Sequence, residues 1–278
     1  MTAIRQILFI AALPFEAASV RRHLDMAPSN GVLSAFTNPP YHLVVSGVGK
    51  AHAAAATGAL CSQFDPDAIG AVVNIGVAGA VSDAIPIGST WLINQIHDAA
   101  TARSYYPDML ATHQLNETQV TTFDRPVSST VNAPKGGLVD MEASAFFEAA
   151  SMFVGPEKII CVKVVSDVLQ HPPRISTKQM SAAIESAMPN ILTVVHNSCA
   201  CIAQNPAMSL NESHHEYMAG ISKALRLTRT QQIQLHQAVT RFIHMHPSTP
   251  LPAFIPQQIK SSRERNHCFA ELQQELLR

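Results

Sequence analysis

Charge is scarce in this chain. Only 14% of its 278 residues are Asp, Glu, Lys or Arg, against a usual share of about 25%, while 47% are hydrophobic. That balance excludes a largely disordered chain and suits a compact globule with a large core, with surface left over for a subunit contact. No excess of either sign is present. A net charge of −1 gives no general attraction to nucleic acid or to an anionic membrane. Also missing is any apolar run near the roughly 20 residues that cross a bilayer. The opening "MTAIRQILFIAALPFEA" meets Glu16 as soon as its apolar stretch ends, so it reads as a buried first strand rather than a leader. Cysteines are few and odd in number: Cys61, Cys161, Cys199, Cys201 and Cys268. They suggest reduced thiols in a cytoplasm and no disulfide framework. Cys199-Ala-Cys201 lacks the spacer and the second pair of a zinc site. A soluble, cytoplasmic protein without metal or cofactor is expected.

What the chain does have is alternation. Strands are expected at Ile7–Ala12, His42–Ser46, Ala71–Ile75, Thr90–Asn94 and Ile159–Val165, and helices at Glu16–Leu24, Lys50–Cys61, from near Glu142, and Thr177–Cys201 with a kink at Pro189. The span from His97 to Lys135 is polar and irregular. Such alternation argues for a three-layer α/β domain with a largely parallel sheet, whose sites gather at the carboxyl ends of strands. The composition changes near Pro206. Beyond it stand eight Lys/Arg against five Asp/Glu, while the residues before it carry eleven against fifteen. Met218, Ile221 and Leu225, then Leu235, Val239 and Phe242, then Phe269, Leu272 and Leu276 recur at helical spacing. The chain is therefore divided into a domain of residues 1–204 and a helical extension of residues 205–278.

Four strand ends carry unusual residues, and each has an ordinary explanation. Glu16 in "AALPFEAAS" suits the first turn of a helix. "SGVGKAHAAAA" (46–56) lacks the third glycine of a dinucleotide fingerprint, and its Lys50 comes too early for a P-loop. "NIGVAGAVSD" (74–83), read as a Gly-rich turn, has no serine at a nucleophile elbow. Asp167 in "KVVSD" suits a helix cap. In "VDMEASA" (139–145), Asp140 and Glu142 flank Met141 ahead of an Ala-rich stretch, again as helix-start acids do. Together they point elsewhere: three carboxylates at strand ends, with two Gly-rich stretches, can converge on one apolar-walled pocket that raises a carboxyl pKa.

In this order the motifs resemble the nucleoside phosphorylase/nucleosidase superfamily, most nearly the 5′-methylthioadenosine/S-adenosylhomocysteine nucleosidases, over roughly residues 4–202. The resemblance implies a three-layer α-β-α phosphorylase/hydrolase-like fold with a central mixed sheet. It implies that Glu16 of "AALPFE" activates water and that Asp167 of "KVVSD", oriented by Ser166, is the acid that protonates a purine. It implies that Glu142 grips the ribose hydroxyls while Met141 packs on the sugar, with Asp140 left as helix-start electrostatics. Val127 of "FDRPV" (123–127) would face the base, and Val48, Ala78 and Gly79 would line the substrate. Lys163, which the resemblance also counts among the substrate-binding residues, stands where these nucleosidases have Arg, which keeps the charge and loses the planar fork. Val77 and Ala80 replace Ser and Gly of the family pattern.

The expected function is hydrolysis of the N-glycosidic bond of a 5′-modified adenosine, releasing adenine, in a homodimer that binds a small-molecule nucleoside and neither membrane nor nucleic acid. Two alternatives stand beside it: a phosphate-dependent phosphorylase of the same fold, for which no matching arginine set is present, and a non-catalytic nucleoside-binding sensor. His214-His215 and the pair His244 and His246 lack the Cys or carboxylate partners of a metal site. Lys223, Arg226, Arg229 and Arg241 of the extension make only a weak basic patch.

Overall fold

The computed structural model describes residues 5–30, 33–127, 134–169, 176–204, 210–246, 248–254, 259 and 261–276. They divide into two compact units, Met1–Cys199 and Ala200–Arg278. No helix among them is long and apolar enough to cross a membrane.

The first unit is built on a ten-stranded mixed sheet. Its strands are β1 (Gln6–Ala11), β2 (Ala27–Ser29), β3 (Ala35–Asn38), β4 (Tyr41–Val45), β5 (Ile69–Ala80), β6 (Thr90–Asp98), β7 (Ser104–Tyr105), β8 (Asn116–Thr122), β9 (Leu138–Asp140) and β10 (Ile159–Val168). The central strands β1, β5 and β10 read as near-continuous apolar runs because both of their faces are covered. One face packs on α2 (Lys50–Cys61) and α3 (Ala143–Ala150), through Ala56, Leu60, Phe146 and Phe147. The other packs on α1 (Pro14–His23) and α4 (Thr177–Gln204), through Ala17, Val20, Ile184, Met188 and Ile191. Helix α4 continues through Pro189.

The sheet is less parallel than the alternation implies. Strands β1, β4, β5 and β10 pair in parallel, as do β6 with β8 and β8 with β9. The pairs β10–β6, β5–β9, β2–β3, β3–β4 and β6–β7 are antiparallel. Strand β5 pairs with β1 over its first half, with β9 at Gly79 and Ala80, and with β10 along its other edge. The pairings β5–β10–β6–β8–β9–β5 therefore close a ring, and β1–β4–β3–β2 extends from it as an open arm. Two expectations fail here. "NIGVAGA" is no turn but the second half of β5, and the span after His97 contains β7 and β8 rather than irregular chain.

Beyond the end of α4, the described residues of the second unit form three helices, α5 (Glu212–Leu225), α6 (Arg229–Met245) and α7 (Ser262–Leu276). Ile221, Leu225, Leu235, Val239, Phe242, Phe269, Leu272 and Leu276 form its own core. Thr228 caps α6 and Asn211 caps α5, each accepting the backbone N–H three residues on.

Candidate active site

Strand β1 stops at Ala11, and Pro14 starts α1, where a residue without a backbone N–H costs nothing. Glu16 therefore falls in the first turn, and its Oε2 accepts the Leu13 N–H at 2.8 Å. The ordinary explanation is thus true: Glu16 caps its helix, although Leu13 has no side-chain acceptor with which to return the bond. Its other oxygen does more. Oε1 accepts the Val77 N–H of β5 at 2.9 Å, and a Cβ on Gly76 would stand 3.1 Å from it. Glu16 is 1% exposed. Burial pushes its carboxyl up to about 7, against the opposing pull of the two N–H bonds and the Lys163 charge.

The second carboxylate comes from the β9–α3 junction. Glu142 Oε1 accepts the Gly49 N–H at 2.7 Å, and Gly49 is the residue before α2. The turn that presents this N–H needs glycine at both Gly47 (φ +86°) and Gly49 (φ +99°). Burial raises the Glu142 pKa and the neighbouring Lys163 opposes it. Asp140 accepts the Ala143 N–H at 2.8 Å in the first turn of α3, as a helix-start acid should. It also accepts the Thr122 hydroxyl at 2.7 Å and pairs with Lys163 at 2.8 Å.

Lys163 departs from the expected placement. It is 1% exposed and is absent from the cavity wall. An ammonium in mid-strand needs a carboxylate to be buried at all, and the buried Asp140 side chain supplies it. Burial alone would lower the Lys163 pKa, but Asp140 and its neighbours outweigh that and raise it. Its influence on Glu16 and Glu142 is a field rather than a contact.

The third carboxylate owes its direction to a bulge. Along β10, Val165 pairs with Ala78 but Asp167 pairs with Gly79, so Ser166 is the extra residue. The Ser166 hydroxyl lies 2.5 Å from Asp167 Oδ1 and 3.2 Å from the Ala78 carbonyl oxygen. Asp167 Oδ2 lies 3.7 Å from where a Cβ of Gly79 would stand. A side chain at Gly79 would press on Val139 and Leu169.

These groups share one cavity of about 380 Å³. Glu16, Val48, Ala78, Gly79, Val127, Met141, Glu142, Ser166 and Asp167 all line it, so the residues singled out in the sequence converge, Lys163 excepted. Ala12, Leu13, Val77, Pro126, Val139, Asp140 and Leu169 complete the wall. The contributions of Leu13 and Val77 include backbone N–H groups, which no side-chain pattern announces. Among the described residues of the wall none is Lys or Arg.

The family model of the Phosphorylase superfamily matches residues 6–199. A 5′-methylthioadenosine/S-adenosylhomocysteine nucleosidase of Marinomonas sp. (strain MWYL1) is 31% identical over 124 residues, 40% of this chain and 52% of that protein. The chain thus spans about half the length of the curated relative it matches. The apo 5′-methylthioadenosine nucleosidase of Arabidopsis thaliana superposes with a TM-score of 0.57 at 15% identity, covering 69% of this chain and 96% of that one. The Streptococcus pneumoniae MTA/SAH nucleosidase in complex with 8-aminoadenine gives 0.53 at 20% identity, covering 70% and 99%. At these identities the two superpositions describe the fold.

Proposed function

The chain belongs to the phosphorylase superfamily, and we propose that within it the protein is a purine nucleosidase that hydrolyses the N-glycosidic bond of a 5′-modified adenosine. The observation that carries this reading is the convergence of Glu16, Glu142 and Asp167 on one largely apolar cavity. The name of the Marinomonas relative supports methylthioadenosine or S-adenosylhomocysteine as the substrate, and 5′-deoxyadenosine fits the same chemistry.

The reaction follows from charge. Breaking C1′–N9 leaves positive charge on the sugar and sends the bond's electrons into the purine. Glu16, with a carboxyl near 7, takes a proton from water as its oxygen attacks C1′. Asp167 gives a proton to N7 of the departing base, so the products are adenine and a 5-modified ribose. Glu142, whose Oε1 accepts the Gly49 N–H, offers its carboxylate to the 2′- and 3′-hydroxyls. Met141 packs on the sugar, and Val127 with Pro126 faces the base. This is the two-carboxylate logic of glycoside hydrolysis applied to an N-glycoside.

Hydrolysis is favoured over phosphorolysis because the described wall offers phosphate no cation, while ionised Glu16 and Glu142 would repel it. In this reading residues 1–204 form the catalytic domain of a cytoplasmic homodimer, and residues 205–278 are a helical extension. The deciding experiment incubates the purified protein with methylthioadenosine, S-adenosylhomocysteine, 5′-deoxyadenosine, adenosine and inosine, with and without phosphate, and quantifies free base. Release of adenine without phosphate is expected. Release only with phosphate overturns Glu16 as the base that activates water.

A further inference from the structure

One cation near the cavity is unused by this chemistry. Lys50, the first residue of α2, places Nζ 3.0 Å from Asp98 Oδ2 and 2.7 Å from Asp124 Oδ1. Its two partners differ sharply. Asp98 ends β6 and is 4% exposed. Its Oδ1 accepts the N–H groups of Ala100 and Thr101 and the Thr101 hydroxyl, and its Oδ2 also accepts the Ser144 hydroxyl at 2.6 Å. Burial works against the Asp98 charge, yet these donors and Lys50 outweigh it and hold the carboxyl well below the usual range. Asp124, by contrast, has a side chain 61% exposed. Asp98 is the buried post and Asp124 the exposed end.

Asp124 stands in the segment that carries Pro126 and Val127 into the cavity wall. That segment is tied at its start by the Phe123 N–H, which donates to the Asp140 carbonyl at 2.9 Å. The adjoining residue of the Lys50 turn, Gly49, donates to Glu142. One helix start therefore meets both the sugar side and the Pro126–Val127 side of the cavity.

We infer that Lys50 is a positioning residue, whose ammonium clips Asp124 to the buried Asp98 and so sets where Pro126 and Val127 stand against the base. A cation held between one spent carboxylate and one exposed carboxylate has a single partner left to recruit, and that partner belongs to the segment that carries Pro126 and Val127. Placement of such a wall acts on affinity, and small errors of position are felt in binding and rate. The statement about the base rests on the purine reading of the cavity; the statement about the clip does not.

The diagnostic variant is Asp124→Asn, which removes the exposed end and leaves the buried Lys50–Asp98 pair whole. Exchange of the Phe123 amide should quicken, and affinity for free adenine should fall about two- to fivefold, the span of a solvent-exposed ion pair. KM for the nucleoside should rise by the same factor with kcat little changed, and the melting transition should move by no more than about 2 °C. Lys50→Arg should restore wild-type exchange and adenine affinity. Lys50→Met should reproduce the loss and also lower the melting temperature, because Asp98 is then buried without its cation. Unchanged Phe123 exchange in Asp124→Asn overturns the clip, and faster exchange with unchanged adenine affinity overturns its role at the base. A wild-type protein that neither binds adenine nor releases it sinks the purine reading instead, and the Phe123 exchange then decides the clip alone.

Discussion

Glu16→Gln should stabilise the protein at alkaline pH while abolishing its chemistry. The carboxyl rises from 4.5 to about 7 in the folded chain because it is buried, which makes its ionised form cost about 3 kcal/mol at ~1.4 kcal/mol per pH unit. The sign follows from linkage. Between pH 4.5 and about 7 the unfolded chain releases this proton while the folded chain keeps it. Wild-type stability therefore falls as pH rises through that window and is whole below it. Glutamine carries no charge to bury. It can accept only one of the Leu13 and Val77 N–H groups, however, since its NH₂ faces the other as a second donor, a loss of about 1–2 kcal/mol.

The variant should thus be slightly less stable than wild type near pH 5 and more stable by about 1–2 kcal/mol at pH 8. For a domain of this size the difference in melting temperature should swing by roughly 5–10 °C across the range. Trp91, the chain's single tryptophan, lies in the first unit, so its fluorescence follows that unit alone. Melting curves at pH 5, 6, 7 and 8 provide the test, beside base-release rates expected to drop by about 10²–10⁴. A difference independent of pH would refute the argument, since it would mean that Glu16 titrates as an ordinary carboxylate.

The same carboxyl sets the wild-type pH profile: kcat/KM should rise with pH through about 7, as Glu16 becomes able to accept a proton, and an acidic limb near 4.5 would contradict the burial argument. Gly76→Ala would put a Cβ 3.1 Å from Glu16 Oε1. The Val77 bond should weaken and turnover fall by roughly tenfold or more while the fold survives, the outcome of about 1.4 kcal/mol lost at the reacting carboxylate; fluorescence melts and initial rates separate the two effects. Lys163→Met leaves Asp140 buried without its cation, a loss of about 3–5 kcal/mol. Adding Asp140→Asn should recover part of it, read from the same Trp91 transition.

Much of the fold was legible because apolar runs and helical spacing are local. Helix α2 occupies Lys50–Cys61 as expected, and the strand ends put Glu16, Glu142 and Asp167 on a common wall. The failures are non-local. The glycines of "NIGVAGA" read as a turn, yet β5 runs through them, because Gly76 makes room for a carboxylate from α1 and Gly79 for side chains of Val139 and Leu169. Strand β8, "NETQVTT", buries only its last three residues and so offers almost no apolar signal. The ring closes through β9, which is three residues long and pairs with β5 at two positions. Lys163 was placed at the substrate by its neighbours in sequence. Its partner Asp140, far from it along the chain, holds it out of the wall.

A carboxyl near 7 could serve as acid or as base, so its pKa alone does not assign the roles of Glu16 and Asp167. Hydrogen-bond geometry supports the proposed ones. Both oxygens of Glu16 face backbone N–H donors, and a proton on either oxygen would oppose one of them; the group is built to accept. Among the described residues Asp167 is met by the Ser166 hydroxyl, on Oδ1, and in the proposed role Oδ2 carries the proton toward the cavity. The two roles separate on a substrate whose leaving group needs no proton, such as a nitrophenyl riboside. Asp167→Asn should lose adenine release by about 10²–10⁴ yet cleave the nitrophenyl riboside at close to the wild-type rate, since its departing phenolate is already stable. Glu16→Gln should fail on both, because water must be activated in either case. Loss of nitrophenol release in Asp167→Asn, with retention in Glu16→Gln, would exchange the two assignments.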